Sequence, residues 1–343
     1  MPERRLLIGT YTSGRAAEGL YTVRLDDDEA LRVIACTPMA DPSFVARHPD
    51  GRQAYVVNEL PNATGTVTRI GIDAASGTTT PLDVVSVDGR LPCHAAVTAD
   101  GKFLWIACYG TGSVSVLRLA ADGGFTGQPE VVRHAGKSVH PRRQLAPHAH
   151  CVAVHPNARD VYVTDLGTDR IEHYRPGFGG RIERLEGVSV NPGSGPRHVK
   201  IGRDGRRAVL SNEIDNTLDV FDVKPDGSLH HRARRSSLPP GTSSKSYASE
   251  VALSPDERTV YVGNRGHDSI ACLPLDTAGE PTWIATLGAH PRHFALSPDG
   301  TRLVVANRDS DNLVVYRLGA DGRPTAAKPA VSALPAPAFV MWL

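Results

Sequence analysis

An all-β fold, a seven-bladed β-propeller of four-stranded antiparallel blades, is what this sequence predicts. Three observations carry that expectation. A strand–turn–strand unit recurs along the chain at constant internal spacing, a further copy is split between the two chain ends, and 33 Gly and 26 Pro supply turns between short apolar runs. The stretch from Ala248 to Leu273 shows the unit whole. It reads as an apolar strand, a Pro255-Asp256 turn, a second apolar strand, a polar Asn264-Arg265 tip and a third strand.

The units align on their turns, at Asp50, Asp100, Asn157, Asp204, Asp256 and Asp299. Nine residues after each anchor stand Glu59, Tyr109, Leu166, Glu213, Arg265 and Arg308. Just before these stand Asn58, Cys108, Asp165, Asn212, Asn264 and Asn307, and the shared Asn is expected to tie adjacent turns together. Seven residues before each anchor stand Ser43, Cys93, His150, Arg197, Ser249 and Arg292. The seventh copy takes its second strand from Leu6–Thr12 and its first from Pro337–Leu343, so the N- and C-terminal strands should share one blade and close the ring. Later strands such as Ser113–Leu117, Thr217–Phe221 and Asn312–Tyr316 bring each unit to about four strands, the propeller pattern. Residues 1–343 are therefore expected to form one propeller domain.

Composition narrows the function. A net charge of +1 leaves no electrostatic footprint for nucleic acid or an anionic membrane. No apolar run approaches the ~20 residues of a membrane span, and the N-terminus passes directly into a short strand rather than a signal-peptide core. Cys36, Cys93, Cys108, Cys151 and Cys272 show no CxxC or zinc spacing and read as free thiols of a cytoplasmic protein.

Repeat geometry also places the chemistry. In a propeller the first strand of each blade lines the central channel and the second returns beside it. Seven residues of strand span roughly 23 Å, so the rim columns lie on the face opposite the Asp-Gly turns. That rim gathers Glu59, Tyr109, Glu213, Arg265, Arg308, His150, Arg197 and Arg292, with His94, His148, His198, Glu250 and His293 beside them. Such groups are costly to desolvate unless paired or used. The alternative is a structural ion-pair ring, for which Arg308 is the best candidate. Two segments, Arg133–Pro147 and Arg234–Tyr247, exceed the blade pattern and are expected to be functional inter-blade loops.

Other signals point to no separate chemistry. His148-Ala-His150 has metal-ligand spacing, but the rim offers more arginines than carboxylates, so no metal and no cofactor is expected. Calcium would have to draw on Glu59, Glu213, Asn264 and Asn307. Gly193-Ser-Gly195 lacks the flanking pattern of a nucleophile elbow, and Gly177–Gly180 reads as a turn because no helix follows it.

The motifs Leu7–Thr12, Asn58-Glu59, Pro147–His150, Asp165–Gly167, Gly195–His198, Ser211–Glu213, Asn264–Ile270 and Pro291–Phe294 run in order along the whole chain. The chain thereby resembles the seven-bladed lactonase family, which includes propeller-type 6-phosphogluconolactonases and fungal carboxy-cis,cis-muconate cyclases. The resemblance to the cyclases of that family implies a catalytic group of one His, two Arg and one Glu at the channel mouth. Here these would be His150 (or His148), Arg197, Arg265 and Glu213, with Glu59, His94, Tyr109, His148, His198, Glu250 and Arg292 binding substrate. Cys108 stands where the family usually has Asn, which would alter the pocket wall.

An arginine-rich mouth predicts a small anionic substrate. Glu213 or His150 would activate water while Arg197 and Arg265 stabilise the oxyanion, and the base and acid roles are interchangeable at this stage. The leading expectation is a lactonase acting on a sugar lactone such as 6-phosphogluconolactone, as a monomer or weak homodimer. A lactonising cyclase and a non-catalytic binding propeller are the alternatives; the last would present more aromatics at its mouth than Tyr11, Tyr109 and Tyr247. On sequence alone, replacing Glu213 or Arg265 should abolish activity with little change in melting.

Overall fold

A computed structural model describes residues 4–177, 181–275 and 279–343. Phe178, Gly179 and Gly180, within the turn expected at Gly177–Gly180, lie outside the described residues. The regular elements among the described residues are all strands, assembled as seven four-stranded sheets. The chain is a seven-bladed β-propeller.

Alternating apolar side chains and β-branched runs make each blade pair antiparallel in chain order. One blade departs from that order. Pro337–Trp342 joins Arg4–Thr10, which continues to Gly19–Leu25 and Leu31–Pro38. Leu6 pairs with Trp342, Leu7 with Met341 and Ile8 with Val340, so the two chain ends share a blade as the split repeat requires.

The chain divides into two compact units. One takes in the chain up to Ser43, Asp73–Thr80 and Ser236–Leu343, and the other Phe44–Ile72 and Pro81–Arg235. In the first unit, Leu6, Ile8, Val304, Ala306, Val315 and Val340 interleave in one apolar cluster, and Tyr261, Ile270, Phe294 and Val305 in another. In the second, Trp105, Val116, Val152, Val163 and Tyr174 form one cluster, and Tyr162, Val199, Leu210 and Phe221 another. Tyr55, Tyr162 and Tyr261 occupy one repeat position. Each hydroxyl donates across to the carbonyl of a glycine (Gly123, Gly227 and Gly322), at 2.6–2.7 Å. Burial pushes all three phenols up, which keeps them neutral donors.

The pairing register holds a feature that no spacing argument showed. At the start of the innermost strands the ladder slips between Pro92 and His94, Ala149 and Cys151, Pro196 and His198, and Pro291 and His293. The bulged residues are Cys93, His150, Arg197 and Arg292, which are members of the column seven residues before each turn. A bulge inserts an unpaired residue and re-aims its side chain. In these four blades the repeat therefore redirects the side chain at the same sequence position.

Candidate active site

The second unit brings three of the expected groups, Arg197, His150 and Tyr109, together with Arg143 around Glu213. The Arg197 Nε donates to Glu213 Oε2 at 3.1 Å, and His150 Nε2 lies 3.9 Å from the same oxygen. Arg143 Nη2 donates to Glu213 Oε1 at 2.5 Å and to the Tyr109 hydroxyl at 3.3 Å. Both Arg197 and Glu213 are buried, at 3% and 5% side-chain exposure, whereas Arg143 is 32% exposed. Burial works against the charge on Arg143, but Glu213 and then Tyr109 outweigh it and hold the guanidinium above its ordinary pKa. Burial, partly opposed by Arg143, raises the Tyr109 phenol, which therefore stays protonated at neutral pH.

Arg143 was absent from the sequence candidates. It sits in no repeat column, but in the long loop that follows the strand Phe125–Arg133 and precedes Ala149–Val154. The only signal was that loop's length and its run of basic residues. The loop is built rather than slack. Gln144 Nε2 donates to Leu166 O at 2.9 Å while its Oε1 accepts from His140 N at 2.9 Å. His140 Nδ1 in turn accepts from the backbone of Arg142 and Arg143, at 3.3 and 3.1 Å.

Asp165 anchors the far end of the loop. Its Oδ1 accepts from the backbone of His148, Gly167 and Thr168 at 2.9–3.0 Å, and Oδ2 meets His134 Nδ1 at 2.6 Å in full burial. Burial alone would raise the Asp165 pKa; the His134 hydrogen bond and charge, then the backbone donors, hold it below the usual carboxylate value. Gly167 lets the loop pass close by, because a Cβ there would meet Ala146 O at 1.9 Å and His148 N at 3.0 Å. Gly167→Ala should displace the His148 segment and lower both kcat and melting temperature. Steady-state kinetics and a thermal melt check this.

Aromatic rings carry the site inward. His148 stacks on Tyr109 with centroids 4.3 Å apart, and its Nδ1–H donates to Tyr109 O at 3.0 Å. His150 touches Tyr109 and His198 edge-on, at 5.6 and 5.3 Å, and His198 meets His94 at 5.1 Å. His94 packs on Phe44, accepts from Val152 N at 3.3 Å and so carries its proton on Nε2, facing Cys151 Sγ at 3.4 Å. Beyond it lies a cavity of about 310 Å³ lined largely by apolar side chains, Val152, Val199 and Ile201 among them. His94 thus fastens one innermost strand to the next. That is a structural use of a residue expected to bind substrate.

The remaining candidates, apart from Glu59, belong to the first unit. His293 repeats the His94 arrangement: Nδ1 accepts from Val340 N at 3.3 Å, and Nε2–H donates to Glu250 at 3.1 Å. Arg265 donates to the carbonyls of Tyr247 and Ala248, at 3.3 and 2.7 Å, in its own blade. Arg292 lies over the Tyr11 ring, 4.9 Å from its centroid. Burial, then Arg265, Arg308 and Arg292, pushes His290 down to about 3, so it stays neutral. Arg308 forms a two-point pair with its neighbour Asp309. In the second unit, Glu59 is half-buried just beyond the strand Gln53–Asn58.

Among the described residues, no group of three or more His, Cys, Asp or Glu is disposed to hold a metal. Of the amides that a calcium site would draw on, Asn264 ties loops through both its oxygen and its nitrogen, and Asn307 ties them through its nitrogen. Asn264 bonds Ser237 and Ser269, and Asn307 bonds Thr286 O and Asn312.

The sequence model of the family described as lactonase, 7-bladed beta-propeller, matches residues 5–342. The chain belongs to the lactonase family of seven-bladed propellers. Relatives by sequence include a 6-phosphogluconolactonase of Bacillus subtilis (strain 168), 31% identical over 84% of this chain and 83% of its own. Among solved structures, the periplasmic gluconolactonase PpgL of Pseudomonas aeruginosa superposes with a TM-score of 0.92 at 30% identity, over 99% of each chain. A putative 6-phosphogluconolactonase of Bacteroides fragilis gives 0.89 at 30%, over 100% of this chain and 98% of its own. In this lactonase-family chain the unusual Cys108 points into its blade. Its buried thiol, pushed up to about 12, meets Ser115 Oγ at 3.7 Å, so the site is bordered by the adjacent Tyr109 instead.

Proposed function

We propose that the protein hydrolyses a small anionic sugar lactone, of the 6-phosphogluconolactone type, at the Glu213 centre. The observation that carries this is one buried carboxylate between two guanidinium groups, with an imidazole nitrogen 3.9 Å from one of its oxygens. That set holds a base, an acid and fixed positive charge within reach of one small molecule, which lactone opening requires.

In the reaction a water oxygen bonds to the lactone carbonyl carbon and the ring ester C–O bond breaks. Glu213 or His150 takes a proton from the water, and the pair returns one to the departing ring oxygen, leaving a hydroxy acid. Arg197, buried and fixed in its bulged strand, stabilises the charge that builds on the carbonyl oxygen. Arg265, buried in the first unit, is proposed as the second stabilising arginine on the resemblance. Run backwards, the same groups would close a lactone.

The relatives' names support hydrolysis; a monomer or weak homodimer is the proposed assembly. All five cysteines are free and four are buried, which supports a cytoplasmic enzyme, although one structural relative is named periplasmic. No helix of the described residues is long and apolar enough to cross a membrane.

Parallel assays of the purified protein on 6-phosphogluconolactone and on a carboxymuconate test the reading. Acid release from the lactone above its spontaneous rate is expected. Consumption of the muconate with no such release would replace hydrolysis by cyclisation.

A further inference from the structure

We infer that Arg143 is the specificity-determining residue of this site: it binds the anionic group of the substrate and, in leaving Glu213 to do so, uncovers the base. The inference rests on the lactonase reading above and goes beyond it in naming the group that reads charge and a consequence for the carboxylate.

The two arginines on Glu213 are not equivalent. Arg197 is 3% exposed, fixed at a strand bulge, and holds Glu213 through Nε. Arg143 is 32% exposed, projects from a loop, and reaches Glu213 through a terminal nitrogen at the end of a long side chain. The backbone beneath it is fastened by His140 and Gln144, so its side chain can change partner without unfolding the loop.

What Arg143 now holds is a carboxylate. A guanidinium accepts a carboxylate or a phosphate through similar geometry, so exchanging Glu213 for a substrate anion swaps one charge-assisted hydrogen bond for another. Tyr109, kept protonated, stays within reach as a second partner during the exchange. The exchange also changes Glu213. With Oε1 turned to Arg143 and Oε2 to Arg197, both oxygens are engaged by guanidinium groups. Departure of Arg143 takes one guanidinium off Oε1 and opens that side of the carboxylate to a water proton, while Arg197 still holds Oε2. A neutral lactone offers nothing to draw Arg143 away and leaves the base covered.

Arg143→Gln and Arg143→Lys, measured beside the wild-type protein, test this on 6-phosphogluconolactone and on neutral glucono-1,5-lactone. Calorimetric titration with inorganic phosphate accompanies the kinetics. In Arg143→Gln the ratio of kcat/KM for the phosphorylated lactone to that for the neutral one should fall roughly tenfold to hundredfold, chiefly through KM of the phosphorylated substrate. Phosphate binding should weaken by a similar factor, and lysine, which keeps the charge without the fork, should restore part of both.

An unchanged ratio with unchanged phosphate binding, or an equal fall in kcat on both lactones, overturns the inference. If the wild-type protein hydrolyses neither lactone, the lactonase reading fails and the titration decides alone. Weaker phosphate binding in Arg143→Gln then sustains anion recognition by Arg143. Equal binding, or none to the wild type, overturns it. Should Arg143→Gln fail to fold, Arg143→Lys is judged by the same outcomes.

Discussion

Glu213→Gln should lower kcat for lactone hydrolysis by about 10²–10⁴-fold, the range for loss of a positioned proton-transfer group. It should also lower the melting temperature, contrary to the expectation from sequence alone. Glu213 is the common partner of Arg143 and Arg197, and Arg197 is buried. A neutral amide takes the Glu213 charge away from that guanidinium, which costs about 1–3 kcal/mol and lowers melting by several degrees. The catalytic and ion-pair readings of the rim, opposed in the sequence, describe the same atoms. Steady-state kinetics beside a thermal melt separate them. A variant that melts lower but keeps kcat would leave Glu213 a structural hub only.

Asp165→Ala should be the more destabilising change, by about 3–5 kcal/mol, because it strips the Nδ1 of a fully buried His134 of its charged partner and three backbone N–H groups of their acceptor. Asp165→Asn should cost only about 1–2 kcal/mol. An amide oxygen can still cap backbone N–H groups, as Asn157 Oδ1 does for Arg159 and Asp160. The sign with pH follows from the lowered native pKa. A carboxyl that binds its proton less readily when folded contributes stability above its unfolded pKa of about 4 and loses it as pH falls through the native value. Denaturant unfolding of wild type and Asp165→Ala from pH 7 downward should show the wild-type advantage complete above pH ~5 and shrinking in stronger acid. An advantage that instead grew toward acid would contradict this account of the His134–Asp165 pair.

Much of the architecture was legible because a propeller writes its geometry as a period. Each turn anchor fixes where two strands begin and end, so Arg197 and Glu213 could be placed at one rim from spacing alone. The split copy at Leu6 and Pro337 gave the shared blade in the same way. Side-chain destinations were less legible. His94 and His293 look like rim histidines by position, yet each accepts a backbone N–H from the next innermost strand, which a one-dimensional pattern does not encode. The bulges that aim His150 and Arg197 depend on pairing register. Arg143 lies outside the repeat altogether, and only folding of the loop onto Asp165 and Leu166 brings it to Glu213.

The central claim is that the carboxylate held by Arg143 and Arg197 drives hydrolysis of an anionic sugar lactone. The initial rate of acid release from 6-phosphogluconolactone, measured against enzyme concentration for wild type and Glu213→Gln, tests it most directly. The account predicts a wild-type rate proportional to enzyme and well above spontaneous hydrolysis, with the variant at least about 100-fold slower. Acid release no faster than in buffer, or the same rate from both proteins, would contradict it.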